Sequence, residues 1–542
     1  MKSNPTRNSL KNIVGNKIEI YDTTLRDGAQ TEGVSYTIED KLRIAERLDA
    51  FGVDFIEGGF PGSNRKDEEF FVRATKMGLK NAKLSAFGST RRKDATCARD
   101  AGIQSLVKAE TPVVCIVGKS WDLHVNHVLK IALKQNIDMI ADTVQYLKQR
   151  GLIVIFDAEH FYDGYSENKG FALETIKAAS DAGADRVVLC DTNGGSMLKL
   201  VAEATSEAVE AAGVPIGIHA HNDSGLAVAV TLAAVESGAK HVQGTINGLG
   251  ERCGNANLCT VIPNLTLKMN KFCVNERNLK KTTDLANFVS ELGNQPLGNR
   301  LPYVGKSAFA HKAGLHIDGV RKIRRSNEHI LPELTGNNTR ALVSEMAGKA
   351  NVLHVAGRLG INLENNSKAV SEILKELKEL EYRGYQFEAA EGSFALLALR
   401  KLGRNTSYFE LGGFRVVVDK RRGREMFSEA TIKVKVGERE ELTVGEGDGP
   451  VNALDNALRK AIEPFYPSLK EMRLTDYKVR VLDERDGTAA AVRVLIASRD
   501  NRDVWGTVGV NENVIEASWK ALVDSIEYKL VKDGVASRSV GI

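Results

Sequence analysis

His219 and His221 stand two apart in the segment HAHND, directly after the apolar run Val214–Ile218. Side chains two apart on a strand share a face. If that strand ends in a pocket, both imidazoles enter one cavity and present nitrogen ligands to one divalent ion. Such a pair needs oxygen partners from elsewhere. Two segments offer them: Thr23–Gly28, which follows the short strand Ile18–Asp22, and Gly250–Asn255, which follows the next strand after the histidines.

The elements that must carry these residues are regular. From Ile18 to about Asn270 the chain reads as strand, polar turn and amphipathic helix, repeated through strands at 18–22, 53–57, 82–87, 112–117, 152–157, 185–190, 215–219 and 241–246. Helical stretches such as 37–50, 124–149 and 197–212 lie between them. This alternation implies parallel βα units. The expected fold is α/β: a closed (β/α)8 TIM barrel, whose chemistry collects at the C-terminal ends of the strands. Polar residues do fall there. Arg26 and Asp27 follow the first strand, Glu57 ends the second, Glu159 and His160 follow the fifth, and Asp191 and Thr192 follow the sixth. His219, His221, Thr245, Asn247 and Asn255 complete the rim.

Beyond about residue 275 this pattern stops. Residues 276–404 read as a mostly helical linker region, and 405–542 as a strand-rich C-terminal α+β domain that looks duplicated. Three strands (413–418, 430–436, 440–444) precede a helix at 450–464, and three more (475–483, 487–497, 502–509) precede one at 513–532. Two βββα units suit a sensing or dimerising module better than a second enzyme. Gly445–Pro450 resembles a phosphate loop but lacks GK[ST], so it reads as a strand-to-helix turn. The catalytic barrel is expected to span 17–275, after a loose basic tail at 1–16 that lacks the apolar core of a signal peptide.

Composition excludes several function classes. With 74 basic and 70 acidic residues the net charge is +4, too balanced for a chain-wide nucleic-acid or membrane-surface role. Basic runs such as Arg321–Arg325 and Lys420–Arg422 are therefore local features, the first a possible aid in holding an anionic substrate. Six cysteines without a CxxC fit a reduced, cytoplasmic chain. No apolar stretch approaches the length of a membrane span.

The motifs DTTLRDGAQ (22–30), IEGGFPGSN (56–64), HAHND (219–223), GTINGLGERCGNANL (244–258) and AGLHIDG (313–319) carry a resemblance. They resemble the metal-dependent Claisen-condensing acyltransferases with a barrel fold, the family of 2-isopropylmalate, homocitrate and citramalate synthases. The stretches 31–37, 156–165 and 190–195 look most like the citramalate synthase branch. The resemblance runs nearly end to end. It implies condensation of acetyl-CoA with a 2-oxo acid, pyruvate in that branch, followed by hydrolysis to citramalate and CoA for isoleucine synthesis. It also implies a homodimer and an amino-acid effector, isoleucine, at the C-terminal domain.

Carried over position by position, the resemblance makes Asp27, His219, His221 and Asn255 the ligands of Mg²⁺, Mn²⁺, Co²⁺ or Zn²⁺. Spacing alone does not separate Asn255 from Asn257. Arg26 is then placed to stabilise the alkoxide, Thr192 to bond the substrate carboxylate, Glu57 to orient the groups around it, and Thr245 to line the substrate site. Removal of a proton from the acetyl methyl falls to Glu159 or to His316 with Asp318. The last two lie outside the barrel and would have to fold over its rim from a dimer partner.

Overall fold

The computed structural model describes residues 16–342, 348–363, 366–420, 425–482 and 489–537. Most of the tail at 1–16, Arg421 and Arg422 of one basic run, and residues 483, 487 and 488 of two expected strands lie outside the described residues. Two compact units are present. One ends at Phe309 and takes back Ile330–Asn338; the other comprises Ala310–His329 and the chain from Thr339 onward.

The first unit is the closed eight-stranded parallel barrel expected from the alternation. Its strands are β1 (Glu19–Asp22), β2 (Phe55–Gly59), β3 (Lys83–Ser89), β4 (Val113–Lys119), β5 (Ile153–Glu159), β6 (Arg186–Asp191), β7 (Ile216–Ala220) and β8 (His241–Gly244). β8 pairs back onto β1 with Glu19 opposite His241 and Asp22 opposite Gly244, which closes the ring. Runs such as Val113–Ile116 are buried throughout because one face fills the barrel and the other meets the helices. Tyr21, Phe55, Val113, Cys115, Ile155 and Val188 plug the interior. Polar side chains emerge at either end of this layer: Glu19, Arg186 and His241 meet at the N-terminal ends of the strands, and the residues of the candidate site at the C-terminal ends.

Helix boundaries follow local chemistry. Thr37 and Asp40 form a reciprocal cap that starts the helix Ile38–Phe51, and Gly52, at φ +94°, ends it. One expected helix is broken. The stretch 124–149 is a π-helical turn at His124–Leu129, then Lys130 in left-handed conformation (φ 55°), then the helix Leu133–Lys148. Periodicity cannot foresee this, since lysine is not a residue that signals positive φ.

The second unit carries helices including Gly314–Lys322, Lys349–Arg358, Ser367–Tyr382 and Glu391–Lys401. Two three-stranded antiparallel sheets follow, Glu410–Asp419, Phe427–Val436 and Arg439–Gly447, then Arg473–Val481, Val492–Arg499 and Val504–Asn511. Each sheet is followed by one helix, Pro450–Ile462 and Val514–Lys532, giving the two βββα units. Gly449 and Pro450 start the first of these helices, as expected of a strand-to-helix turn. All six cysteines are free. No helix among the described residues is long and apolar enough to cross a membrane.

Candidate active site

Above the apolar plug, the strand ends converge on a cavity of about 230 Å3. Arg26, Asp27, Glu159, Thr192, His219 and His221 line it together with Asp157 and Cys190. His219 lies on β7, and His221 follows it in an isolated bridge to Asn255. That bridge ties the loop after β8 to the histidine strand.

Asp27, His219 and His221 are buried, and one ligand atom from each lies within 4.8 Å of the others. His219 Nε2 is 3.2 Å from His221 Nε2 and 3.3 Å from Asp27 Oδ2, and His221 Nε2 is 3.9 Å from the same oxygen. Nitrogens each about 2.1 Å from one ion, at right or tetrahedral angles, stand about 3.0–3.4 Å apart, so the spacing fits a divalent ion. Asn255 Oδ1 is buried without a hydrogen-bond partner, as an oxygen reserved for a cation would be, while its Nδ2 donates to Leu249 O at 3.0 Å. Asn257 is engaged otherwise. Its Oδ1 accepts from Cys259 N at 2.9 Å and caps the helix Leu258–Leu267.

Electrostatics agree with a cation-binding set. Burial alone would raise Asp27, yet Arg26, His219 and His221 hold it far below the usual carboxylate range. Burial pushes His221 down to about 3, helped by His219, which keeps its nitrogens free of a second proton. Burial opposes the charge on His219 too, but Asp27 and Asp157 outweigh it and raise its pKa. The field that draws a proton to His219 draws a metal ion to the same nitrogen.

Arg26 is fixed on three sides. Its Nε donates to Glu57 Oε2 at 2.6 Å, Nη1 lies 3.2 Å from Asp27 Oδ2, and the guanidinium sits 3.9 Å from the Phe87 ring centre. Glu57 is fully buried, accepts from Tyr21 at 2.7 Å and from Thr23, and does not line the cavity. Its place is beneath Arg26, in an orienting role. Thr192 Oγ1 accepts from His160 N at 2.9 Å, which leaves its own proton for another acceptor.

Other rim residues turn elsewhere. Thr245, expected at the substrate, is fully buried outside the cavity lining, its hydroxyl donating to Leu249 O at 2.7 Å. Asn247 donates to Ala286 O, Asp191 receives Ser196, and the His160 ring packs on His124 and Trp121. His316 and Asp318 belong to the second unit, on the helix Gly314–Lys322, which buries Ile317 and Val320; His316 is exposed and Asp318 pairs with Lys322 at 2.6 Å.

Sequence reasoning missed Lys119, which ends β4 and forms an ion pair with Glu159. It also missed Asp157 and Gln243, which are linked to each other and to His219. The available signal was the rule already used for the histidines, because Asp157 and Glu159 are two apart on one strand.

With this geometry in hand, three family models account for most of the chain. An HMGL-like model matches residues 17–289, a homocitrate synthase post-HMGL domain-like model 303–384, and a LeuA allosteric (dimerisation) domain model 388–530. The (R)-citramalate synthase of Aquifex aeolicus is 55% identical over 519 residues, covering 95% of this chain and 98% of that protein. That of Geobacter sulfurreducens is 52% identical over 516 residues, with 95% and 98% covered. The chain belongs to the (R)-citramalate synthase family. A 2-isopropylmalate synthase of Methanocaldococcus jannaschii stands further off, at 32% identity over 97% of each chain. In this chain the HMGL-like match covers the barrel, and the LeuA match covers the helix Glu391–Lys401 and most of the two βββα units.

Proposed function

We propose that the chain catalyses condensation of acetyl-CoA with pyruvate and water to give (R)-citramalate and CoA, the acyl group becoming an alkyl group on transfer. The observation that carries this is the buried Asp27, His219 and His221 cluster beside a fixed arginine, in a chain with end-to-end identity to citramalate synthases. Asp27, His219, His221 and Asn255 would hold a divalent ion, whose Lewis acidity polarises the carbonyl of the 2-oxo acid.

The protein's own groups supply the rest. Arg26 presents its cation where negative charge develops on the carbonyl oxygen, and the Glu57 bond and Phe87 stack fix its direction in advance. The Thr192 hydroxyl donates to the substrate carboxylate. Glu159, partnered by Lys119, or His316 with Asp318 takes the proton from the acetyl methyl, whose weak acidity demands a positioned base. Water then cleaves the citramalyl thioester, releasing CoA. A cavity of about 580 Å3 that shares Arg26, Gln30 and Phe87 with the smaller one gives acetyl-CoA room to reach it.

The division of labour follows. The barrel, 17–275, carries the chemistry, 276–404 links, and 405–542 joins two copies and receives isoleucine as inhibitor, a reading supported by the LeuA match. The expected setting is the cytoplasm, in isoleucine synthesis. Thiol release from acetyl-CoA, followed with pyruvate, 2-oxoisovalerate, 2-oxobutyrate and 2-oxoglutarate in turn, tests the assignment. Pyruvate is expected to be fastest; preference for 2-oxoisovalerate would move the chain to the 2-isopropylmalate reaction, and no release with any acid would remove the synthase reading.

A further inference from the structure

One hydrogen-bonded chain in the cavity wall runs outward from His219. His219 Nδ1 lies 3.0 Å from Gln243 Oε1, and Gln243 Nε2 donates to Asp157 Oδ1 at 2.9 Å. Gln243 is fully buried, and Asp157, 3% exposed, borders the cavity. The three residues come from β7, β8 and β5.

An amide can face an imidazole with either its oxygen or its NH₂ group. An ionised carboxylate can only accept, so Asp157 draws the NH₂ of Gln243 toward itself and turns Oε1 toward His219. An oxygen at that place requires a proton on Nδ1. A neutral imidazole has one proton, so the lone pair is left on Nε2, the nitrogen that faces Asp27 and His221. With the amide reversed, the lone pair would sit on Nδ1 and the proton would point at His221.

We propose that Asp157 and Gln243 are positioning residues that hold His219 in its ion-binding tautomer, Asp157 by setting the direction of the Gln243 amide. This rests on the reading of His219 as a metal ligand. The metal-free, full-length protein is titrated with Mn²⁺ at pH 8, free Mn²⁺ being read by electron paramagnetic resonance. His219→Ala loses the site. Gln243→Leu, which removes the acceptor, weakens binding about 10–100-fold, the usual effect of losing an outer partner of a ligating histidine. In Gln243→Glu the two buried carboxyls share one proton in their mutual contact, so the oxygen facing His219 Nδ1 still accepts and binding stays close to that of the unsubstituted protein.

The decisive comparison is a cycle. Asp157→Asn weakens Mn²⁺ binding more when residue 243 is glutamine, since two amides no longer dictate a direction, than in the Gln243→Glu background, where the direction is not in question. An equal loss in both backgrounds overturns the proposal, as does unchanged binding by Gln243→Leu. Unchanged binding by His219→Ala instead refutes the ligand reading itself. Circular dichroism monitors folding, and if Gln243→Leu does not fold, the cycle alone decides.

Discussion

Arg26 and His219 lie in one cavity but do separable work. His219→Ala is expected to abolish metal binding and turnover together, as read by metal content and thiol release on the same preparation. Arg26→Ala keeps its metal and loses about 10²–10³-fold in turnover, the range for removal of a donor aimed at developing negative charge. Because this change also strips buried Glu57 of its cation, Arg26→Lys is the necessary companion: it keeps the charge but loses the planar fork and the Phe87 stack. It should fold normally and still turn over slowly. Full turnover in either variant would show that Arg26 does not stabilise the alkoxide.

At the scale of elements, the loop after β8 is shaped by its glycines. Gly254 has φ +86°, and a Cβ there would meet Gly248 O at 2.0 Å. Gly254→Ala must therefore move the backbone that presents Asn255, lowering stability by about 1–3 kcal/mol of strain. Thermal unfolding and Mn²⁺ titration should both report it; unchanged affinity would release Asn255 from the ligand set. In the second unit, burial lifts Glu527 from an ordinary 4.5 to about 7, even though Arg400 pulls it down. A carboxyl raised in the folded state costs stability once it is ionised, so the penalty is absent below about pH 4.5, grows through the interval and is complete above about pH 7. Glu527→Gln should therefore unfold at higher temperature than the parent at pH 8, with the gap closing as pH falls toward 4.5. A gap independent of pH would assign the effect to packing instead.

At the scale of the whole molecule, effector control is assigned to the region matched by the LeuA model, residues 388–530. A chain ending before residue 388 is expected to lose inhibition by isoleucine, and sedimentation should show a smaller assembly. Isoleucine inhibition that survives this truncation would place the effector site elsewhere.

The barrel was legible because its signals are local and repeated: apolar strands, polar turns and amphipathic helices recur at a spacing that only parallel βα units satisfy. Observed strand boundaries lie within a few residues of the expected ones, as for 153–159 against 152–157. The histidine pair was legible for the same reason, since the two-residue period of a strand is a property of the chain itself. What needed the tertiary structure was every choice between equivalent polar atoms. Asn255 and Asn257 have the same side chain two positions apart, but one caps a helix while the other keeps a buried, unpartnered oxygen beside His221. Thr245 and Thr192 both follow strands, but only Thr192 faces the cavity. Lys119 and Gln243 carried no motif and acquire meaning only from the strands beside them. Sequence period determines which face a side chain takes, and the closing of the barrel decides which atoms it meets there.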